Sequence, residues 1–174
     1  MLSVKVQPPR RERFPLTKPI RETKSSTQPA ICPKCQAVRR NGAWTLDPTV
    51  RREVQRWRAP GQLLCPACRV IRDGTPSGIL YLQGSFVAVR RAEIMQLVRN
   101  VERASAAKNP LERIITVRNA PPDEVVIDTT SEKLVRRLGR ALSRAYHGRL
   151  QIRFSHGETL VRVYWRRDAS EPAP

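Results

Sequence analysis

The sequence predicts an α+β chain: a small module tied together by its cysteines, then a layered domain of strands and helices, with an extended basic arm in front. Three observations carry this. All four cysteines fall in two C-x-x-C pairs, Cys32-Pro33-Lys34-Cys35 and Cys65-Pro66-Ala67-Cys68. Further along, apolar residues alternate in some stretches and recur every three or four residues in others, the periods of strand and helix. Residues 1–30 show neither period.

The totals narrow the class of partner. At 174 residues the chain is one or two small domains. Its 33 Lys and Arg against 15 Asp and Glu give a net charge of +18, which points to a polyanion, most simply nucleic acid. A membrane surface is the competing polyanion. No apolar run approaches the roughly 18 residues of a spanning helix, and the opening MLSVKVQPPRRERF lacks the apolar core of a signal peptide. The expectation is a cytoplasmic protein with no membrane partner, in a reducing compartment.

Residues 1–30 are punctuated by Pro8, Pro9, Pro15, Pro19 and Pro29, with Lys5, Arg10, Arg11, Arg13, Lys18, Arg21 and Lys24 against only Glu12 and Glu22. Such a composition buries no core, so the arm is expected to be disordered when free. It is suited to ordering along phosphates.

Residues 31–78 form the cysteine module. Two intervening residues let a tight turn aim both sulfurs of a pair at one ion, and two such turns complete a tetrahedral shell. Cys32, Cys35, Cys65 and Cys68 are therefore predicted to hold one structural Zn2+. Redox dithiols are the alternative, although one pair suffices for that chemistry. Arg39, Arg40, Asn41 and Gly42 read as a turn. Asp47-Pro48 reads as a helix start. Val50, Val54 and Trp57 then give that helix an apolar face opposite Arg51, Arg52, Arg56 and Arg58. Pro60-Gly61 ends it, and Asp73-Gly74 with Pro76-Ser77-Gly78 marks a domain boundary.

Residues 79–168 read as strand 79–89 bent at Gly84, helix from Ala92 to about Lys108, strand 112–118, strand 124–129, a helix capped by Ser131, and strands 150–154 and 159–167 around a turn at 155–157. Two helices on one face of an antiparallel sheet make a ferredoxin-like layered fold. Residues 169–174 are a tail.

On the second helix Lys133, Arg136, Arg137, Arg140 and Arg144 recur at three and four residues opposite the apolar stripe, forming one basic face. With Arg10, Arg11, Arg13 and Lys18 of the arm and Arg39, Arg40, Arg51 and Arg52 of the module, they are the candidate RNA contacts. RNA is favoured over DNA because no base-reading recognition helix is evident. Aromatics are only 5% of residues, which argues against a stacking platform and for recognition of a folded RNA by shape and charge.

No catalytic residue is predicted. No nucleophile stands beside a base, no glycine-rich phosphate loop exists, and no small-molecule substrate is expected. His147 and His156 read as structural. Asp123, Glu124, Asp128 and Glu132 lie around one strand and leave a metal-dependent ribonuclease as one alternative. A zinc-ribbon transcription regulator on duplex DNA is the other.

The order of these parts carries a resemblance. Paired CP-x-C knuckles before ILYLQGSFVAVRR and then EVVIDTTSEKLVRRLGRAL resemble the Nmd-type ribosome-binding family, the large-subunit export adaptor and its archaeal and bacterial relatives, from Cys32 to about Arg167. The longer relatives carry eight cysteines in their zinc region, and this chain has four. The resemblance implies zinc binding and attachment to the large ribosomal subunit and its RNA. It suggests a role in hibernation, assembly or quality control rather than nuclear export.

Overall fold

The computed structural model describes residues 28–57, 60–121, 124–155 and 160–170. The arm residues Arg10, Arg11, Arg13 and Lys18 lie outside these, as do Arg58, Asp123 and His156. Over the described residues the chain is a mixture of two sheets and five helices.

The cysteine module is built from β1 (Ala30–Ile31), β2 (Val38–Arg40), β3 (Ala43–Thr45), α1 (Pro48–Gln55), β4 (Gly61–Gln62) and α2 (Pro66–Asp73). Its sheet runs β3-β2-β1-β4, with β4 parallel to β1. The predicted turn is shorter than expected. Arg39 and Arg40 belong to β2, and only Asn41 and Gly42, both at positive φ, make the bend. Helix α1 starts as predicted, with the Asp47 carboxylate accepting from the Thr49 amide at 2.7 Å. Its apolar face is narrower than expected. Val54 is buried, whereas Trp57 lies beyond the helix and is 58% exposed. Helix α2 follows the second cysteine pair directly, with Cys65 as its cap and Pro66 in its first turn.

The larger sheet is formed by β5 (Gly78–Gln83), β6 (Ile114–Ala120), β7 (Glu124–Thr129), β8 (Arg149–Phe154) and β9 (Val161–Arg166), in the order β6-β7-β5-β9-β8. It is mixed rather than antiparallel as expected, because β9 inserts beside β5 and runs parallel to it. Its hairpin partner β8 is pushed to the edge.

The stretch 79–89 is not one bent strand. It divides at Gly84 into β5 and the short helix α3 (Ser85–Val89), followed by α4 (Arg91–Lys108). Gly84 sits at φ 98°, ψ 158°, where a Cβ would fall 2.7 Å from the Arg167 carbonyl carbon. That conformation is nearly restricted to glycine. The Arg167 carbonyl accepts the Phe86 amide at 3.3 Å and the Asp168 carboxylate accepts the Ser85 amide at 3.2 Å, so the far end of the chain caps this turn.

One sheet face is covered. Leu80, Leu82, Val125, Ile127, Val161, Val163 and Trp165 pack against Ile94 and Val98 of α4 and Leu134, Val135, Leu138 and Leu142 of α5 (Glu132–Tyr146). Gly78 and Gly139 let α5 lie close. A Cβ on Gly78 would meet Val135 of α5 at 2.5 Å, and one on Gly139 would meet Val163 of β9 at 2.6 Å. The opposite face carries the half-buried Tyr81, Arg162 and Tyr164 and the exposed Arg149, Arg153 and Arg166.

Candidate metal centre and basic surfaces

Local structure brings the four cysteines together. Cys32 opens a turn in which the Gln36 amide donates to the Cys32 carbonyl at 2.9 Å, and Gln36 takes a positive φ. Cys65 caps α2, and its sulfur accepts from the Cys68 amide at 3.4 Å. Pairing of β1 with β4 sets the two turns side by side. All four sulfurs lie within 4.8 Å of one another. Cys32, Cys65 and Cys68 are buried and Cys35 is half-buried.

The electrostatics of this cluster are those of a cation site. Burial raises the Cys32 thiol, but the amides of Cys65, Cys35 and Lys34 outweigh it and bring it down to about 6. Burial pushes Cys65 and Cys68 up, and proximity to Cys35 adds to this in both. Burial and mutual repulsion thus oppose full ionisation of the four sulfurs, and a positive charge among them relieves both. Four sulfur donors within 4.8 Å of one another suit a tetrahedral, thiophilic metal. The residues present fit a bound metal ion. Among the described residues no other group of His, Cys, Asp or Glu has this geometry.

Sequence reasoning missed Arg113. The loop before β6 packs Leu111 on the cysteine cluster, and the Arg113 guanidinium reaches Cys68 Sγ at 3.7 Å while also donating to the Pro110 carbonyl at 2.8 Å. Burial works against its charge, but the sulfurs, Cys35 foremost, hold its pKa above the ordinary value. Four thiolates around a dication leave a charge of about −2, which Arg113 partly offsets. Its forty-five-residue separation from Cys68 hides it from any local pattern.

The candidate RNA contacts divide by their surroundings. On the module, Arg40 pairs with Glu53, Arg39 donates to the Gln28 carbonyl at 3.2 Å, and Arg51 donates to Gln36 at 3.1 Å. Arg52 is exposed and has no partner among the described residues. On α5, Arg137 pairs with the buried Glu112 and donates to Ser105 at 3.2 Å, and Arg136 pairs with Glu132 at 3.4 Å. Lys133, Arg140 and Arg144 are exposed and make no ion pair with any described residue. Arg144, Arg137 and Lys108 line a shallow groove between α4 and α5.

Two of the acids around β7 are held by neighbouring side chains. Asp128 is 8% exposed and accepts from Thr116 Oγ1 at 2.7 Å and from Arg118 at 2.9 Å. Glu124 accepts from Gln83 at 2.8 Å. The His147 carbonyl accepts the Trp165 indole N–H at 2.7 Å. Among the described residues no helix is long and apolar enough to cross a membrane. The chain matches no family model, no curated protein and no solved structure.

Proposed function

We propose that the chain is a zinc-stabilised, non-catalytic, cytoplasmic RNA-binding protein that attaches to the ribosome, through the large subunit and its RNA, as a hibernation, assembly or quality-control factor. The reading rests above all on charge. The chain carries a net +18, and exposed cations such as Arg52, Lys133, Arg140 and Arg144 have no acidic partner among the described residues. A field of this size draws a polyanion to the surface and makes binding fall steeply with salt. The basic arm extends the same field.

In this reading one zinc ion held by Cys32, Cys35, Cys65 and Cys68 folds a zinc-ribbon-like module, and the ferredoxin-like layers of residues 79–168 carry the basic helix. Zinc is the metal whose preferences a closed four-thiolate shell fits best. The resemblance to the Nmd-type family supplies the ribosome.

The test is sucrose-gradient sedimentation of lysates from growing and starved cells, with the protein followed by immunoblot. Co-migration with ribosomal particles that weakens progressively with salt is expected. Large subunits would indicate assembly, and idle whole ribosomes hibernation. A protein that stays at the top of every gradient refutes the ribosome reading. Labelled duplex DNA and labelled RNA, each with and without magnesium, test the regulator and nuclease alternatives.

A further inference from the structure

The face of the larger sheet away from α4 and α5 concentrates positive charge and aromatic surface in three adjoining rungs. Strand register places Arg149 opposite Arg166, Gln151 opposite Tyr164, and Arg153 opposite Arg162. The parallel pairing with β5 adds Tyr81 beside Tyr164. Side chains on one face of a strand recur every two residues, so the two arginine rungs stand about 13 Å apart with the tyrosine rung between them.

The tyrosine rung is an ordered stack. The rings of Tyr81 and Tyr164 lie 4.7 Å apart and 8° from parallel, and the Arg153 guanidinium sits 5.3 Å over Tyr164. Burial pushes the Tyr81 phenol up, so it stays a neutral hydroxyl. Both tyrosines are half-buried, and Arg149, Arg153 and Arg166 are exposed.

Like charges directly opposite on neighbouring strands repel, and here two such pairs occur in register. The acids on this face are fewer than the arginines: Asp128, engaged by Arg118, and Glu124. Arg166 reaches Asp168 at 3.3 Å, Arg162 donates to the Ser155 hydroxyl, and Arg149 has no partner among the described residues. The occupant that relieves both rungs is an anion with regularly spaced charges. Residues 1–27 do not supply it, since they are themselves basic.

We infer that this face binds single-stranded RNA, with phosphates on the Arg149–Arg166 and Arg153–Arg162 rungs and, as Arg153 turns from the Tyr164 ring to a phosphate, a base in its place. The inference rests on the reading of the chain as an RNA-binding protein and adds a surface that reading does not use. A single strand fits better than a duplex because the outer face of the Tyr164 ring, which Arg153 covers in the free protein, becomes a surface for an unpaired base once Arg153 engages a phosphate. Base–aromatic stacking is the contact single strands make with proteins.

The test is fluorescence anisotropy of the full-length protein with a labelled oligouridine of about 12 nucleotides, as a salt series. Arg149→Gln with Arg153→Gln removes one cation from each rung. It should lower the slope of log affinity against log salt by about 1.4, two phosphate contacts at roughly 0.7 each. Because it also relieves both like-charge rungs, its melting temperature should hold or rise. Arg99→Gln with Arg103→Gln, the same charge change on exposed α4, should leave the slope nearly unchanged. Equal losses in the two double variants would reduce the effect to net charge and overturn the inference. Tyr164→Leu should weaken binding about 5–150-fold, the range of one stacked base, and an unchanged affinity overturns the base contact. Equal or tighter binding of oligodeoxythymidine or of duplex RNA overturns the assignment to single-stranded RNA. Ribosome co-sedimentation with oligouridine binding indifferent to β8 removes this inference alone. Oligouridine binding that depends on β8 without ribosome co-sedimentation removes the ribosome alone.

Discussion

Replacing Cys65 with serine should unfold the cysteine module and spare the larger domain. Cys65 is fully buried, its sulfur lies 3.6 Å from that of Cys35, and it also caps α2. The module has little else to hold it. Apart from the cysteines, its buried apolar side chains among the described residues are Ala30, Ala37, Val38, Val54 and Ala67. The two valines contribute about 1.5–3 kcal/mol each. A structural zinc ion contributes about 10–16 kcal/mol in small modules, so a metal of that kind would outweigh the packing it accompanies. The larger domain keeps its own cluster from Leu80 to Trp165. Amide hydrogen exchange followed by mass spectrometry, with metal content measured in parallel, separates the two parts. In the variant, and in wild type after chelation, protection should vanish over β2, β3 and α2 and persist over β5, β7 and β9. Wild-type protein that binds no metal, or a variant that keeps a protected module, would refute this account of the cysteines.

Three further outcomes are expected. Gly84→Ala should cost about 2–4 kcal/mol in urea unfolding. The conformation contributes about 1–3, and displacing the Arg167 carbonyl that accepts the Phe86 amide adds about 1; a loss below about 1 kcal/mol contradicts the described turn. Glu112→Gln should destabilise by about 1–3 kcal/mol, because it strips the buried partner from Arg137. Adding Arg137→Met should recover part of that loss, and a strictly additive double variant would deny the coupling. The amide of Ser85 and then Arg166 hold the Asp168 carboxyl below its ordinary value of 3.8. A depressed carboxyl stabilises the fold above its unfolded pKa and loses that contribution as pH falls through the folded one. Ser85 amide exchange, corrected for its intrinsic pH dependence, should therefore lose protection only below about pH 4, and Asp168→Asn should abolish that step.

The elements read correctly from sequence are those whose signal is local. Helices α4 and α5 show the helical period over 18 and 15 residues, and Ser131 caps α5 through the Lys133 amide at 3.1 Å. The clustering of the four cysteines was legible because two-residue spacing constrains each pair directly. Failures occur where distant chain decides. At Gly84 the apolar run reads as strand, yet the carbonyl of Arg167 and the carboxylate of Asp168 turn it into a helix start. The parallel neighbour of β5 follows from insertion of β9, which no periodicity records. Helix α2 did carry a local sign, Pro66 immediately after a capping Cys65, but its reading as a knuckle obscured it. Low aromatic content concealed Tyr81 and Tyr164 because composition counts residues, and stacking depends on register. The basic stripe of α5 was legible as a pattern, while the role of Arg137 was not, since Glu112 lies 25 residues away.

The position of β8 at the end of the sheet has a consequence for how the protein keeps to itself. An edge strand offers unpaired backbone groups to any passing strand, and proteins blunt such edges with charged side chains. Here Leu150 and Ile152 face the helices, Arg149 and Arg153 face outward, and the strand ends in the 59% exposed Phe154. A second copy approaching this edge meets two arginines before it meets the backbone. The same charges proposed to attract an anion to this face thus also oppose the joining of two copies sheet to sheet. Crowding many molecules onto one polyanion would mask those charges, and the edge would then stand open to strand addition.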